Sequence, residues 1–451
     1  MRRSLQSCNF DEIKSDAGNV FEKEPVLRIA VVNWSGRRVG GVETYLSTII
    51  PELSRAGHEI AFWYETDEPV ERAQIILPDE TPSWCVAAMG VNHALAALRD
   101  WCPDVIYTHK LSDPDLESKV LSIAPSVFFA HDYNGTCISG DKTFKYPIVQ
   151  PCNRRFGWQC LMHYFPHRCG GLSPITMFRL YGLQAKRLEN LRRYDAIVTH
   201  SDHMLSELIK HGLSPQRAYN FPYYVQQTSA NNEALRQLQR SENESSQISK
   251  ATEDQSALRK KREMPHWNLL FSGRMEYLKG GHILIEALPK VAAALDKPLR
   301  VTFAGDGRER HAWEQRAARA RNRNLDIEFI GWIDRHRIEK LLEACDLLVV
   351  PSLWPEPFGL VGPEAGLFGV PVAAFAVGGI PDWLVDGVNG HLASGDPPTS
   401  NGLAQAIINC LRDPDAHARL RCGATEIAQQ FNVKNHLKAL VEVFANVISN
   451  R

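Results

Sequence analysis

The amino-acid sequence predicts an α/β protein of two Rossmann-like, doubly wound domains that face each other across a cleft. Short apolar runs rich in β-branched residues alternate with helical segments along most of the chain, as in parallel sheets that are covered by helices on both faces. The alternation comes in two series, and a polar stretch separates them. A chain of 451 residues, 44% of them hydrophobic, is long enough for two such domains.

The first series spans residues 25–222 and predicts the N-terminal domain. Its first strand is the apolar run from Val26 to Trp34, and a glycine-bearing loop and a helix ending at Gly57 follow it. Four later runs each end in a polar residue: EIAFWY, DVIYTH, SVFFAH and DAIVTHS. These ends should lie together, because open α/β sheets place their ligand crevice at the carboxyl ends of the strands.

The second series predicts a C-terminal domain over residues 264–451. Its strands are expected at NLLFSGR, LRVTFAGDG, LDIEFIGW, CDLLVVPS and GVPVAAFAVGG, and helical segments at HILIEALPKVAAAL and EAGLFG. The helical stretch from about Ala424 either closes this domain or crosses back to the first. Residues 223–263 have almost nothing to bury and are interpreted as a polar linker, and residues 1–24 as a polar N-terminal extension.

Composition excludes several classes of protein. Lys and Arg number 51 against 52 Asp and Glu, so the net charge of -1 argues against a protein whose main partner is nucleic acid. No apolar run approaches the roughly 18 residues that span a bilayer, and residues 1–24 lack the apolar core of a signal peptide. The ten cysteines are too few for a disulfide-stapled scaffold. A cytoplasmic enzyme is expected, with peripheral contact at the inner face of the membrane left open.

The strongest motif is PSLWPEPFGLVGPEAGLFGVPV, which contains Glu356 and Glu364. Its prolines prevent a helix at the start, so it predicts a strand, a loop holding Glu356, and a helix with Glu364 in its first turn. The amides of Phe358, Gly359 and Leu360 should then point into the crevice, where they suit anionic oxygens, while a carboxylate suits vicinal hydroxyls. The pattern favours a sugar attached to phosphate, and the alternative is a capping arrangement with surface glutamates.

Two further motifs place charge or glycine after a strand. SGRMEYLKGG carries Arg274 and Lys279 in a glycine-flanked loop before a helix, where two cations can neutralise a diphosphate without a metal. The alternative is a pair of solvated charges. WSGRRVGGVETYL places Gly40 and Gly41 between the first strand and the first helix, where backbone amides can approach a phosphate. This motif is not G-x-G-x-x-G, so an NAD-dependent oxidoreductase is poorly supported.

In their order along the chain, these motifs resemble those of glycosyltransferase family 4, a family of retaining enzymes with the GT-B fold. The resemblance covers nearly the whole chain from Pro25 and rests on GGVE, AHDYNG, SGRMEYLKGG, AGDGRER, FIGWI, PSLWPEPFGLVGPEA and GGIPDWLVDGVNG. EPFGLVGPE matches the E-x7-E motif of the family, and Arg274 and Lys279 match its Arg/Lys pair. The resemblance implies a GT-B fold and transfer of a sugar from a nucleotide-diphosphate sugar.

The resemblance also implies a role for each matching residue. Glu356 would hold hydroxyls of the donor sugar and Glu364 the ribose hydroxyls, while Arg274 and Lys279 would bind the leaving diphosphate. His131, at the end of an N-terminal strand, would lie near the reacting sugar. The other donor-site positions that the match implies are Gly40, Gly41, Gly305, Gly331, Phe358, Gly359 and Leu360.

The chemistry of the reaction agrees with these roles. Glycosyl transfer passes through an oxocarbenium-like state as the diphosphate departs, so fixed charges and amides that stabilise the leaving group should supply most of the catalysis. The resemblance implies retention of configuration, by front-face attack assisted by the leaving phosphate. No metal and no organic cofactor is expected at the reaction centre. The co-substrate would be a UDP- or GDP-linked sugar.

Two positions depart from the family pattern. NFPYYV, from Asn220 to Val225, stands where the family often has Asn-Gly, and Asp382 stands where Glu is more usual. Neither removes a contact to the diphosphate, but the first leaves the hinge geometry open.

A long irregular insertion, residues 136–186, interrupts the first domain. Its four cysteines would suit a structural zinc ion, but no C-x2-C pair is present, so unpaired and partly buried thiols are the favoured interpretation. These are Cys137, Cys152, Cys160 and Cys169.

The same region is rich in aromatic and basic residues. The aromatic residues are expected to form a small core of their own, with stacking on a sugar or lipid acceptor as the alternative. They are Tyr133, Phe144, Tyr146, Phe156, Trp158, Tyr164 and Phe165. The basic residues are interpreted as a solvated helix face, with contact to an anionic membrane as the alternative. They are Arg154, Arg155, Lys186, Arg187, Arg192 and Arg193.

The sequence therefore predicts a retaining hexosyltransferase that moves a sugar from a nucleotide-diphosphate sugar to a glycan or lipid-linked acceptor, in cell-surface polysaccharide or glycolipid synthesis. Two alternatives remain open. One is the same donor half with a small soluble acceptor, as in disaccharide or sugar-phosphate synthases. The other is a non-catalytic GT-B protein that binds a nucleotide sugar, against which the joint presence of Glu356, Glu364, Arg274, Lys279 and His131 argues.

Overall fold

The structure, a computed structural model of the chain, describes residues 25–225 and 266–450. It contains two parallel sheets flanked by helices, so the predicted α/β class with two doubly wound domains is confirmed. The predicted extension, residues 1–24, lies outside the described residues, as does most of the predicted linker, residues 223–263.

The first sheet is built from the chain before residue 221. Its elements and those around it are β1 Arg28–Ser35, α1 Gly41–Arg55, β2 Glu59–Thr66, β3 Ser83–Cys85, α2 Val86–Met89, α3 Val91–Asp100, β4 Val105–Thr108, α4 Pro114–Val120, β5 Ser126–Phe129, β6 Thr143–Phe144, β7 Gln150–Pro151, α5 Gln159–Tyr164, α6 Pro174–Leu191, β8 Ala196–Thr199, α7 Asp202–Lys210 and β9 Ala218–Asn220. Seven parallel strands lie in the order β3-β2-β1-β4-β5-β8-β9. The winding therefore reverses between β1 and β4.

The second sheet follows the same plan. Its elements are β10 Trp267–Ser272, α8 Gly281–Ala294, β11 Leu299–Ala304, α9 Arg310–Ala320, β12 Leu325–Gly331, α10 Arg335–Glu343, β13 Leu347–Val350, α11 Val361–Gly366, β14 Val372–Phe375, β15 Gly390–Ala393, α12 Ser400–Leu411, α13 Pro414–Gln429 and α14 Val433–Ser449. Six parallel strands lie in the order β12-β11-β10-β13-β14-β15, and the winding reverses between β10 and β13. Ligands of doubly wound sheets bind outside the carboxyl ends of the strands at such reversals.

Every strand that the apolar runs predicted is present, and the unpredicted strands are short. Three of the latter, β3, β9 and β15, are outer strands, and the fourth outer strand, β12, was predicted. Their sequences SWC, AYN and GHLA are three or four residues long and contain no sustained apolar run that could predict a strand.

The terminal helix α14 crosses back to the first sheet. The Oη atom of Tyr45 lies 2.8 Å from Nε2 of His436, and the ring of Phe444 lies 5.2 Å from that of Tyr107. Burial lowers the pKa of His436 to about 4, so the ring is neutral, and because Nδ1 donates to the carbonyl of Pro222 at 2.9 Å, Nε2 accepts from the Tyr45 hydroxyl. The helix thereby ties the end of the chain to the segment that leaves the first domain.

The insertion, residues 136–186, contains the antiparallel pair β6–β7, helix α5 and the first part of α6. The prediction that its aromatic residues form a core holds for four of them and fails for three. Buried in a common apolar cluster are Tyr133, Phe144, Phe156 and Tyr164. Exposed are Tyr146, Trp158 and Phe165.

The four cysteines of the insertion lie in or against the same apolar cluster, which contains Cys137 and Cys169. Burial, together with the other three thiols, raises the pKa of Cys169 to about 12. No three His, Cys, Asp or Glu side chains in residues 25–225 and 266–450 are arranged to hold a metal ion. The zinc interpretation is therefore unsupported in this geometry, and the thiols are packed as apolar side chains.

Within the described parts of the chain, no helix is both long enough and apolar enough to cross a bilayer.

Candidate active site

Two cavities meet between the sheets, at the winding reversals of both. The N-terminal cavity, about 550 Å³, is lined mainly by the loops that follow β1, β4 and β5. The C-terminal cavity, about 380 Å³, is lined mainly by the loops that follow β10 and β13. They share Gly41, Val42, His131 and Arg274. A molecule that spans both cavities would therefore pass these four residues.

Lys279 and Glu356 form an ion pair in the lining of the C-terminal cavity. The Lys279 Nζ atom donates to Glu356 Oε1 at 2.5 Å, and Ser352 Oγ donates to the same oxygen at 2.7 Å. Glu356 is only 7% exposed, so its charge requires such partners. Its second oxygen, Oε2, accepts from no group in the described residues and is free to accept from a ligand hydroxyl.

A close backbone approach holds these two motifs together. Gly280, directly after Lys279, has φ of 72°, and a Cβ atom there would lie 1.7 Å from the carbonyl oxygen of Pro351. Only glycine permits this approach. The loop after β10 is therefore fixed against the loop after β13.

Phe358, Gly359 and Leu360 line the C-terminal cavity, and the contact of their amides with a ligand stays a prediction. Within the described residues these three N–H groups find no backbone or side-chain acceptor. Their free donors stand directly before α11, where an anionic oxygen is favoured.

The N-terminus of α1 faces both cavities. Gly41, its first residue, has no atom within 4 Å of the position that a Cβ would take, so a ligand can come close to the backbone. Gly40 precedes it, and its N–H donates to Glu43 Oε2 at 2.9 Å. Gly40 lines only the N-terminal cavity.

Arg274 lines both cavities and is exposed. Its guanidinium group makes no hydrogen bond or ion pair with any of the residues 25–225 and 266–450. Because no contact within the protein has to be broken when the guanidinium group binds a ligand, Arg274 is available to an anion that lies between the cavities.

His131 lies between the cavities with both ring nitrogens occupied. Its Nε2 is hydrogen-bonded to Nδ1 of His109 at 2.8 Å, and its Nδ1 to the hydroxyl of Tyr223. Burial lowers the pKa of His131 well below its ordinary value, and nearby His109 and His200 lower it further. The ring is therefore neutral.

Glu364 lies beside the C-terminal cavity but outside its lining. It accepts from Arg335 Nη1 at 3.0 Å and lines a smaller neighbouring cavity with Ser272 and Val361, which also line the C-terminal cavity. Burial raises its pKa, and the nearby Arg335 opposes that rise. Glu356 and Glu364 thus lie in two adjoining cavities.

Gly305 and Gly331 line neither cavity. Gly305 has φ of 133°, a Cβ there would lie 2.0 Å from the carbonyl oxygen of Gly273, and its N–H donates to Gly331 O at 2.8 Å. These glycines pack the loops after β10, β11 and β12 against one another. A contact of either with the nucleotide stays a prediction.

Residues of the first domain contact the loop that holds Glu356. Tyr133 Oη donates to Pro355 O at 2.6 Å, and Ser201 Oγ donates to Pro357 O at 2.5 Å. Asp382, the departure from the family pattern, accepts from the N–H of Asp202 at 2.7 Å. Asp382 therefore binds the N-terminus of α7 across the two domains.

The N-terminal cavity carries a polar network that the sequence indicated only through AHDYNG. Lys110 pairs with Asp132 at 3.2 Å, and Asn134 Nδ2 donates to the same carboxylate at 2.5 Å. Arg187 Nη1 donates to Asn134 Oδ1 at 2.6 Å. This cavity therefore offers both cations and hydrogen-bonding oxygens to a polar ligand.

Sequence reasoning missed His109, Tyr223 and Arg335. For His109 a signal existed, since DVIYTH ends in histidine as SVFFAH does, and β4 and β5 are neighbours in the sheet. Arg335, at the start of α10, reaches Glu364 of α11 across 29 positions of sequence, a contact that no local pattern indicates.

Two family models match the chain and together span most of it. The model for glycosyltransferase family 4 matches residues 39–222, and the model for glycosyl transferases group 1 matches residues 252–426.

Curated relatives match mainly over a part of the chain. A glycogen synthase from Mycobacterium tuberculosis is 33% identical over 177 residues, which are 39% of this chain and 42% of that protein. A D-inositol 3-phosphate glycosyltransferase from Xylanimonas cellulosilytica is 32% identical over 186 residues, 41% of this chain and 43% of that protein. The chain thus aligns with about two fifths of the length of these relatives.

Solved structures match over nearly the whole chain. HepE from Anabaena, in complex with UDP and glucose, has a TM-score of 0.61 at 20% identity and covers 93% of this chain and 100% of that one. Sucrose-phosphate synthase from Thermosynechococcus elongatus has a TM-score of 0.62 at 18% identity and covers 94% of this chain and 100% of that one. At such identities the likeness shows the fold, which is GT-B.

Proposed function

The chain belongs to glycosyltransferase family 4, and we propose that it transfers a sugar from a UDP- or GDP-linked donor to a hydroxyl of a glycan or lipid-linked acceptor, with retention of configuration. The product would be a cell-surface polysaccharide or a glycolipid, and the protein would work in the cytoplasm, peripherally at the inner face of the membrane. No metal and no organic cofactor is proposed at the reaction centre.

The observation that carries the proposal is the convergence of unpaired donors on the C-terminal cavity. Arg274 has no partner within the described residues, the amides of Phe358, Gly359 and Leu360 have no acceptor there, and the N-terminus of α1 opens onto the same space at Gly41. A diphosphate is an anion of the kind that cations and free backbone amides bind.

The reaction balances with these groups alone. The bond between the anomeric carbon and the diphosphate oxygen breaks, the acceptor oxygen bonds to that carbon, and the hydroxyl proton passes to the leaving phosphate. Arg274, Lys279 and the free amides would stabilise the charge that grows on the diphosphate. Neutral His131 suits its position, since a second cation beside the oxocarbenium-like sugar would oppose its formation.

Glu356 would bind the donor sugar and Glu364 the ribose. The free Oε2 atom of Glu356 can accept from a sugar hydroxyl, while its Oε1 is held by Lys279 and Ser352. Glu364, fixed by Arg335, lies in the adjoining recess. The Anabaena protein was solved with UDP and glucose, which makes UDP the first nucleotide to test.

A second candidate is transfer to a small phosphorylated acceptor. The N-terminal cavity contains Lys110 and Arg187, and one curated relative is named for D-inositol 3-phosphate. Whether turnover requires a lipid-linked acceptor separates the two candidates.

The proposal is tested by transfer and donor-hydrolysis assays with Arg274→Ala and Glu364→Ala. Both variants should lose activity by about a hundredfold or more, with Arg300→Ala, an exposed arginine on β11, as the matched control. NMR of the product anomer reports retention. Activity that survives unchanged in both variants would contradict the site, and a wild-type protein that binds nucleotide without any turnover would favour the non-catalytic alternative.

A further inference from the structure

The insertion presents an unusual surface to solvent. Residues 142–188 contain eight Lys and Arg and not one Asp or Glu, although Lys142 is buried and Lys145 pairs with Asp141 of the insertion. Eight large apolar side chains in the same stretch are exposed. They are Tyr146, Ile148, Trp158, Met162, Phe165, Leu172, Ile175 and Phe178. Burying such side chains would normally stabilise a monomer, so their exposure together indicates an interaction surface.

The exposed side chains lie on and beside two consecutive helices. Trp158, the N-cap residue of α5, and Met162 stand one turn apart, while Leu172 lies just before α6 and Ile175 lies in its first turn. Their exposures are 64% for Trp158, 84% for Leu172 and 81% for Ile175. These side chains project outward rather than lining a groove.

The opposite sides of the same helices are buried. Tyr164 of α5 and Met177 and Leu188 of α6 belong to the apolar cluster of the insertion, and Leu161 packs against it. The fold therefore places one apolar side of each helix inward and a second one outward. The second side is not needed for folding.

Four arginines accompany the exposed apolar side chains. Arg154, Arg155, Arg168 and Arg179 are all exposed, and none forms an ion pair with a carboxylate of the described residues. The guanidinium group of Arg168 lies 4.7 Å above the ring of exposed Tyr146. Cations and apolar side chains are thus interleaved. We call these twelve residues, the eight apolar ones and the four arginines, the insertion surface.

We propose that the insertion surface docks on an anionic lipid bilayer, with its apolar side chains at the acyl boundary and its arginines at the phosphate groups. Apolar side chains that project outward among unpaired cations match this interface in both respects.

The surface lies at one end of a helix that reaches the N-terminal cavity. Ile175 stands in the first turn of α6, and Arg187 and Leu191 near its other end line that cavity. Twelve residues of helix separate Ile175 from Arg187, which is about 18 Å. Resting on the proposed function, this placement would bring a lipid-linked acceptor within reach of the cavity while the sugar donor enters from the aqueous side.

Sedimentation with vesicles tests the docking directly. The full chain should sediment with vesicles of phosphatidylcholine and phosphatidylglycerol in equal parts, far less with phosphatidylcholine alone, and less as salt is raised. Leu172→Asp with Ile175→Asp should weaken binding at least about tenfold. The matched control is Val26→Asp with Val70→Asp, two exposed aliphatic residues of the first domain outside the insertion surface, and it should bind as the wild type does.

The thermal shift produced by UDP, measured on all three proteins, keeps the two proposals separate. Equal shifts with lost vesicle binding in the insertion variant support docking at this surface. Equal sedimentation with both kinds of vesicle, or equal binding by the insertion variant and the control, would overturn it. A wild-type dimer that the insertion variant converts to a monomer, without vesicle binding by either, would also overturn it. Failure of the shift alone would count against the donor site, not the docking.

Discussion

Lys279 and Glu356, 77 positions apart in sequence, are joined by a 2.5 Å hydrogen bond in the lining of one cavity. The cation proposed to face the leaving diphosphate thus also neutralises the carboxylate proposed to hold the sugar. Each group is fixed by the other before a ligand arrives, and fixed charges of this kind need no reorganisation during the reaction.

This pairing predicts an asymmetry between single and double variants. Lys279→Ala leaves Glu356 as a buried carboxylate held only by Ser352, so we expect the free energy of unfolding to fall by about 2 kcal/mol. Adding Glu356→Gln should restore most of the stability, but not the transfer activity. Urea unfolding and the transfer assay, applied to both proteins, check this. A double variant no more stable than Lys279→Ala would show that the ion pair does not set the stability.

For Arg274 we predict a loss of catalytic rate without a loss of stability. Because its guanidinium group has no partner in the described residues, Arg274→Ala should leave the melting temperature unchanged while it lowers kcat by about a hundredfold or more. Lys in its place should recover part of the rate, since the charge remains but the bidentate geometry is lost. A large loss of stability in Arg274→Ala would instead assign the residue a structural role.

Two glycines that the family match groups together should behave differently. Gly305→Ala would place a Cβ 2.0 Å from Gly273 O at a φ of 133°, so we expect a destabilisation of about 2 kcal/mol or more. Gly41→Ala meets nothing within 4 Å and lies at the start of α1, so stability should hold while UDP affinity falls. Melting curves with and without UDP distinguish the outcomes, and unchanged UDP affinity in Gly41→Ala would remove α1 from the site.

The buried histidines predict acid sensitivity. Burial lowers the pKa of His109 and His200 to about 3 and that of His436 to about 4, against about 6.5 in the unfolded chain. Between these values the unfolded state binds more protons, so the contribution of the neutral rings to stability is complete above about pH 6.5 and is lost progressively as the pH falls to about 4 for His436 and about 3 for His109 and His200.

We therefore expect the melting temperature to fall steeply from pH 7 to pH 5. His200→Phe removes one titrating group and should reduce the pH dependence of the free energy of unfolding by up to about 1.4 kcal/mol per pH unit. His311→Gln, at an exposed histidine, serves as the control and should leave the slope unchanged. Equal slopes in His200→Phe and the wild type would contradict the assignment.

Sequence reasoning was most successful where a signal is local. The runs that form β10 and β13 and the loops that follow them are each contiguous, so Lys279, Glu356 and the amide of Gly359 could be predicted from strand, loop and helix starts alone. The two doubly wound domains were predicted in the same way, from the alternation of strands and helices, whereas the GT-B fold was implied by the resemblance to glycosyltransferase family 4.

What sequence could not predict depends on packing between distant elements. The pairing of Arg335 with Glu364 and the contact of His436 with Tyr45 arise only when α10 meets α11 and when α14 crosses back. The glycine at Gly305 matches a nucleotide-binding motif, yet the approach of Gly273 already requires it. A motif residue can thus be present for reasons of packing, and only the structure distinguishes the two.

The central claim is that the C-terminal cavity binds a nucleoside diphosphate without a metal. The most direct measurement is the thermal shift of the purified protein with UDP, GDP and ADP and their sugar conjugates, in the presence of EDTA. A ligand in hundredfold excess over its Kd stabilises the folded protein by about 2.7 kcal/mol. We therefore predict a clear rise in the melting temperature of the wild type with one of the three nucleotides, with UDP expected first. Arg274→Ala should show no such rise. A flat response of the folded wild-type protein to all three diphosphates and their conjugates would contradict the account.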